Sequence, residues 1–307
     1  MDFNTAISQI LILFIIMFMG VAAKKSRILD KSVQDSISIL LMDVALPALV
    51  LSSTNFERTA EVLPNMLSIL MITVVSYILT ILLCMLIVRV LHYEKKIANV
   101  FISLIVFANV GFMGYPVARA FFAEIGVFYT AVANLVFGVF LWTYGILLFN
   151  RQEKVELKKL LNLGSISSFI AILMFIFELR LPYPLFSALE LTGKMTAPLS
   201  MLLIGAIIAE IDIAKLVSNK KAYLVSAIKL VLIPLTTAYI LKLMGINSIV
   251  ISICTLMAAM PSGATNAIFA LQFDSEPLFA SIGVFITTLL SIITLPLTVY
   301  VLTNFIL

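Results

Sequence analysis

Two stretches of the chain hold residue types that can bind a charged solute without supplying a fixed charge. The first is Ala108-Asn-Val-Gly-Phe-Met-Gly-Tyr-Pro116, followed by Val117-Ala-Arg-Ala-Phe-Phe122; the second is Ala258-Ala-Met-Pro-Ser-Gly-Ala-Thr-Asn266. Proline removes a backbone donor and clashes with the turn before it. Gly111 and Gly114 loosen the same turns, so each stretch reads as a helix that unwinds part-way along. Where such a helix restarts, it presents free amides and a partial positive charge. Two such ends meeting would make an anion site. Asn109, Gly111, Gly114, Pro116, Pro261, Ser262, Thr265 and Asn266 are the candidate substrate-binding residues on this reading. The carbonyls and hydroxyls of Ser262–Asn266 could also ligate sodium.

Three ionisable residues fall inside apolar runs, where charge is costly and function is the first expectation. Asp43, one turn before Pro47, is a candidate proton or cation carrier, or else an acid satisfied by Lys229 or a hydroxyl. Lys229 would neutralise carbonyls freed by a helix break, or snorkel. Arg119, one turn past Pro116, would contact an anion or reach the interface. Glu124, Glu178 and Glu210 sit near the ends of apolar runs and read as solvated, and His92 as interfacial.

The elements that must position these residues follow from composition. The 307 residues are 62% hydrophobic and 12% charged, with a mean hydropathy of +1.16. Soluble domains carry about 25% charged residues, and disorder needs low hydrophobicity. Both classes are excluded, which leaves an all-α polytopic membrane protein. A spanning helix takes about 20 apolar residues. Charged and proline-rich clusters place ten spans at 5–23, 36–54, 65–90, 97–124, 127–149, 165–179, 195–210, 221–243, 248–272 and 277–305. Asp2 stands where a signal peptide would be basic, so the first span reads as retained.

Lysine and arginine sort these spans. Fourteen lie in the odd-numbered loops (Lys24, Arg89, Lys95, Arg151, Lys154, Lys158, Lys159 and Lys215 among them) against Arg58, Arg180, Lys194 and Lys242 in the even ones. The positive-inside rule then makes the odd loops cytoplasmic and puts both termini outside. A multi-pass protein of the cell membrane follows. The basic residues sit in short loops, which fits topology better than nucleic-acid binding. Two cysteines and one histidine are too few for a zinc or haem site, so no metal and no cofactor is expected.

A weak repeat runs through the chain: Pro47 matches Pro198 and Pro116 matches Pro261, at offsets of 151 and 145 residues. Five spans per copy is odd, so the second copy inserts inverted. The expected organisation is a first repeat at 1–150, a cytoplasmic linker at 151–164 and an inverted repeat at 165–307. Interrupted helices at matching positions of inverted repeats point to a secondary transporter.

The chain resembles the auxin efflux carrier family, including bacterial PIN-like permeases. The matching stretches are Leu46-Pro-Ala-Leu-Val50, Asn109-Val-Gly-Phe-Met-Gly-Tyr-Pro116, Met260-Pro-Ser-Gly263 and the segment from Gly283 to Pro296. The resemblance implies a 5 + 5 inverted repeat with interrupted crossing helices 4 and 9. It implies a scaffold of spans 1, 2, 6 and 7, a transport domain of spans 3–5 and 8–10, and a homodimer. It also implies export or exchange of organic anions such as auxin, malate or malonate, with Asn109 at a carboxylate-binding position. The third span, over Leu67–Leu83, lacks the acid and lysine of plant carriers, so that proton route does not carry over.

The leading expectation is a secondary active or facilitative transporter of a small organic anion, working by elevator-type alternating access. Coupling to H+ or Na+ stays open. An anion-conducting channel and a sodium-coupled symporter are the alternatives, although no filter-like segment or ring of charges supports a channel. No acidic metal cluster, HExxH motif or nucleophile with a base is present, so an enzyme is not expected.

Overall fold

Backbone in lipid must close its own hydrogen bonds, and long apolar runs do so here as helices. The computed structural model describes residues 3–56, 59–149, 161–209 and 219–306. Arg58, the linker cations Arg151, Lys154, Lys158 and Lys159, and Glu210 and Lys215 lie outside these residues. No strand occurs among the described residues; a single antiparallel bridge joins Ala108 to Ser262.

In chain order the helices are α1 (Phe3–Lys25), α2 (Lys31–Leu40), α3 (Leu46–Ser52), α4 (Val62–Val90), α5 (Lys95–Val106), α6 (Tyr115–Phe140), α7 (Ile146–Phe149) and α8 (Leu163–Ile176). They continue as α9 (Tyr183–Lys194), α10 (Thr196–Ala209), α11 (Lys220–Ala227), α12 (Ile233–Leu243), α13 (Ser248–Ala259), α14 (Thr265–Gln272) and α15 (Pro277–Val301). Among the described residues, seven helical segments are long and apolar enough to cross a membrane: Ser8–Lys25, Lys31–Ser52, Val62–Val90, Val110–Phe149, Tyr183–Ala209, Lys220–Leu243 and Pro277–Ile306. Helices α8 and α13 are shorter and apolar.

Two of these segments differ from the sequence expectation in an informative way. Val110–Phe149 is 40 residues long, about 60 Å at 1.5 Å per residue, twice a hydrocarbon core of about 30 Å. It is broken at Ala123, whose φ of 50° and ψ of −138° are non-helical, at the expected boundary between the fourth and fifth spans. The other segment starts at Tyr183 rather than after Lys194. Pro184 fits the first turn of α9, where its missing N–H costs nothing. Lys194, expected in an outward loop, therefore lies inside a 27-residue apolar segment.

Prolines also explain three π turns. The turns Leu41–Ala45, Val110–Gly114 and Ile228–Leu232 each end two residues before a proline, namely Pro47, Pro116 and Pro234. A proline ring clashes with the carbonyl four residues back. Those carbonyls belong to Asp43, Phe112 and Leu230, the central residue of each π turn. Widening the turn by one residue relieves the clash. The π turns Leu141–Gly145 and Leu302–Ile306 precede no such proline.

The chain divides into two compact units. Unit 1 comprises Met1–Met66, Val110–Leu135 and Leu161–Ile211; unit 2 comprises Leu67–Asn109, Val136–Leu160 and Asp212–Leu307. Unit 1 has a core of Leu46, Leu49, Val50, Tyr115, Val127, Ala131 and Ala171. The Phe128 ring packs nearby at a tilt against Phe56 at 5.4 Å and Phe175 at 5.0 Å. Within it α1 and α10 approach until backbones touch, because small residues face the seam. A Cβ on Gly205 would stand 1.9 Å from the Met17 carbonyl oxygen, and one on Gly20 2.2 Å from that of Leu202. Gly205→Val must push the helices apart, at a cost of about 1–3 kcal/mol. Thermal melts in detergent should show this as a clear fall in Tm.

Unit 2 is built around α15, which packs against α5: the Leu104 side chain lies against Gly283. An aromatic group of Trp142, Phe149, Phe269 and Phe273 closes one flank, with centroids 5.8–6.2 Å apart.

Candidate functional site at the crossing of two interrupted helices

Unit 2 brings the start of the first sequence-predicted break, at residues 107–109, against the second. Pro261 pushes the residue before it out of the helical region, and Met260 accordingly has a ψ of 142° and ends α13. No proline stands at the end of α5. Phe107 turns extended there, with φ −96° and ψ 98°, because the other break supplies its partners.

The two breaks run antiparallel and bond as a minimal ladder. The Asn109 N–H donates to the Pro261 carbonyl at 2.7 Å, and the Gly263 N–H donates to the Phe107 carbonyl at 3.0 Å. Side chains brace this bridge. The Ser262 hydroxyl donates to the Leu104 carbonyl at 2.6 Å, satisfying an acceptor in the last turn of α5. The Asn266 amide donates to the carbonyls of Phe107 at 2.9 Å and Gly263 at 2.7 Å, while its oxygen accepts from the Ser103 hydroxyl. The Ser262 N–H donates to the Thr287 hydroxyl of α15 at 3.1 Å. Ser103, Ser262 and Asn266 are all buried.

This bonding refines the expectation of free amides. The amides of Asn109, Ser262 and Gly263 are engaged across the crossing. The amides of Ala264 and Thr265, at the head of α14, meet no acceptor among the described residues. They are the donors, reinforced by the helix dipole, that this arrangement offers to an anion. Asn109 is 9% exposed at the same crossing, and Thr265 is half-buried.

Other expected residues lie elsewhere. Gly111, Gly114, Pro116 and Arg119 belong to unit 1, in the π turn Val110–Gly114 and in α6. Asp43 is exposed on its π turn in unit 1. Lys229 is 3% exposed in unit 2, on the π turn Ile228–Leu232, within electrostatic reach of the fully buried Cys84. Arg119 pairs with Glu124 at 3.6 Å, across the Ala123 break, so Glu124 has a partner as well as solvent.

Sequence reading missed Ser103, Thr287 and the carbonyl of Leu104. A lone serine in the apolar run 97–107 was the available signal for the first. Among the described residues no group of three or more His, Cys, Asp or Glu could hold a metal ion.

An all-helical chain with membrane-length apolar segments, and two helix breaks bonded to each other through residues 107–109 and 261–266, has the makings of a membrane transporter. Comparison with known proteins makes the class specific. The model of the membrane transport protein family matches residues 5–159 and 150–299, and the chain belongs to this family, that of the auxin efflux carriers. It is similar to an uncharacterized transporter of Methanocaldococcus jannaschii, at 24% identity over 96% of this chain and 98% of that protein. A second relative is an uncharacterized transporter of Methanothermobacter thermautotrophicus, at 30% identity over 62% of this chain and 63% of that protein.

Proposed function

We propose that the protein is a secondary transporter of a small organic anion, a carboxylate such as malate, malonate or an auxin-like acid. The carrying observation is the crossing, where Asn109 pairs with Pro261 and the Ala264 and Thr265 amides at the head of α14 meet no acceptor among the described residues. In this reading Asn109, Thr265 and those amides bind the carboxylate, and Ser262 and Asn266 hold the crossing in shape. Gly111, Gly114 and Pro116 let the fourth span restart, and Pro261 does the same for the ninth.

The architecture proposed is ten crossings in a 5 + 5 inverted repeat. Counting α5 with Tyr115–Phe122 as the fourth, and α13 with α14 as the ninth, reaches ten once the Ala123 break divides Val110–Phe149. Unit 1 gathers spans 1, 2, 6 and 7, the proposed scaffold, together with the distal part of span 4 and the first part of span 5. Unit 2 holds span 3, spans 8–10 and the crossing. We infer an elevator in which the domain of spans 3–5 and 8–10 carries the anion. The protein works as a homodimer in the cell membrane, with both termini outside.

Uptake of radiolabelled malate, malonate and aromatic carboxylates into proteoliposomes tests the function. Saturable uptake with counterflow supports it; transport of none of these anions overturns it. Asp43 is the proposed coupling acid, since it is exposed and rides an interrupted helix. Asp43→Asn should abolish stimulation by an imposed pH gradient while leaving exchange at equal pH. An unchanged response to pH removes Asp43 from coupling, and a response to a sodium gradient alone assigns the ion to sodium.

A further inference from the structure

Unit 1 contains a cavity of about 210 Å³ lined by Leu49, Pro116, Arg119, Gly193, Lys194 and Ala197. Its charge is lopsided. Two cations form part of the wall and no carboxylate does, although two acids stand behind them. Lys194 pairs with Glu190 one turn back on α9, at 2.8 Å. Arg119 meets Glu124 at only 3.6 Å, beyond ordinary hydrogen-bond length, and also acts electrostatically on Glu190.

We propose that this cavity is an anion-binding site for a small, doubly charged anion of the dicarboxylate or phosphate class, held by Arg119 and Lys194. The Arg119 side chain is only 20% exposed. Its planar fork of donors matches a carboxylate or phosphate edge, and among the described residues it has no other hydrogen-bonded partner that would occupy the fork. Leu49, Pro116, Gly193 and Ala197 make the remaining wall apolar, and a low local dielectric strengthens each charge contact.

Charge rather than size selects the ligand: the cavity, about 210 Å³, has room for malonate or phosphate. The acids tune the site. Glu190 competes with a ligand for Lys194, so binding must loosen the 2.8 Å pair. The elbow that delivers Lys194 has its own cause: the carbonyl of Lys194 lies four residues before Pro198, and the ring there excludes the usual helical bond. The inference stands on unit 1 alone and does not rest on the crossing.

The test is isothermal titration of the purified full chain in detergent with malonate, inorganic phosphate and acetate. Malonate or phosphate should bind with one Arg119-dependent equivalent, and acetate more weakly; whichever of the two divalent anions is tighter names the source. Arg119→Gln should weaken binding about tenfold or more, as expected for lost charge-assisted hydrogen bonds. Glu190→Gln should tighten binding severalfold by releasing Lys194, and it decides the matter where Arg119→Gln fails to fold. Asn109→Ala, although defective in transport, should keep the Arg119-dependent equivalent. Heat from neither divalent anion overturns the proposal. So does wild-type affinity in both charge variants, or loss of this equivalent in Asn109→Ala, which would move the anion to the crossing.

Discussion

Asn266→Ala will lower the stability of the protein by about 2–4 kcal/mol, from three buried hydrogen bonds at roughly 1 kcal/mol each. The substitution removes both donors to Phe107 and Gly263 and the acceptor for Ser103. Phe107 and Gly263 keep their backbone donors, from Gly263 and Asn266 respectively. Ser103, which is fully buried, is left with an orphaned hydroxyl. Asn266→Asp separates shape from hydrogen bonding: it keeps the acceptor but sets a carboxylate against two carbonyls, so it should be at least as damaging. Unfolding by SDS titration measures both. An unchanged midpoint in both variants would mean that the side chain does not brace the crossing.

Asn109→Ala should be read first in transport, with a large loss of uptake. Its backbone bond, from N–H to the Pro261 carbonyl at 2.7 Å, survives in alanine. In the proposed function its side chain meets the anion directly. A hydrogen bond to a charged group is worth about 1.5–3 kcal/mol, so the half-saturating concentration should rise about 10- to 100-fold. Asn109→Asp keeps the size and adds a repelling charge, and uptake should fall further. Normal uptake in Asn109→Ala, measured alongside an unaltered melting curve, would remove this residue from the binding site.

The contrast between these two asparagines shows what a sequence makes legible. Both stand out as polar residues in apolar runs beside Pro116 and Pro261, and the helix breaks were readable because proline and glycine act locally. That Asn266 braces the crossing depends on partners 159 and 163 residues away. No local pattern encodes such pairings. Phe107 illustrates the same limit, since α5 ends there through bonds from Gly263 and Asn266 rather than through its own residues. The segment starting at Tyr183 escaped for a different reason. Pro182 and Pro184 resemble loop punctuation, yet a proline in the first turn begins a helix as readily as it ends one. Placing Lys194 in a loop hid the charge cluster it forms with Glu190 and Arg119.

The proline-keyed π turns carry a consequence for the two ionisable residues that lie within them. An α-helix advances about 100° of azimuth per residue, so one inserted residue turns everything on its far side to a new compass bearing. Pro47 and Pro234 therefore act as rotational keys. They set which way α2 and α11 face relative to α3 and α12, and with them the bearing of the residues in each turn. Asp43 and Lys229 sit on these keyed turns. If the wide turn migrates by a few residues along either helix, the residues it passes swing around the axis with no helix having to unfold. A charge can thus change its neighbours by rotation in place, with the proline fixing one end of the arc.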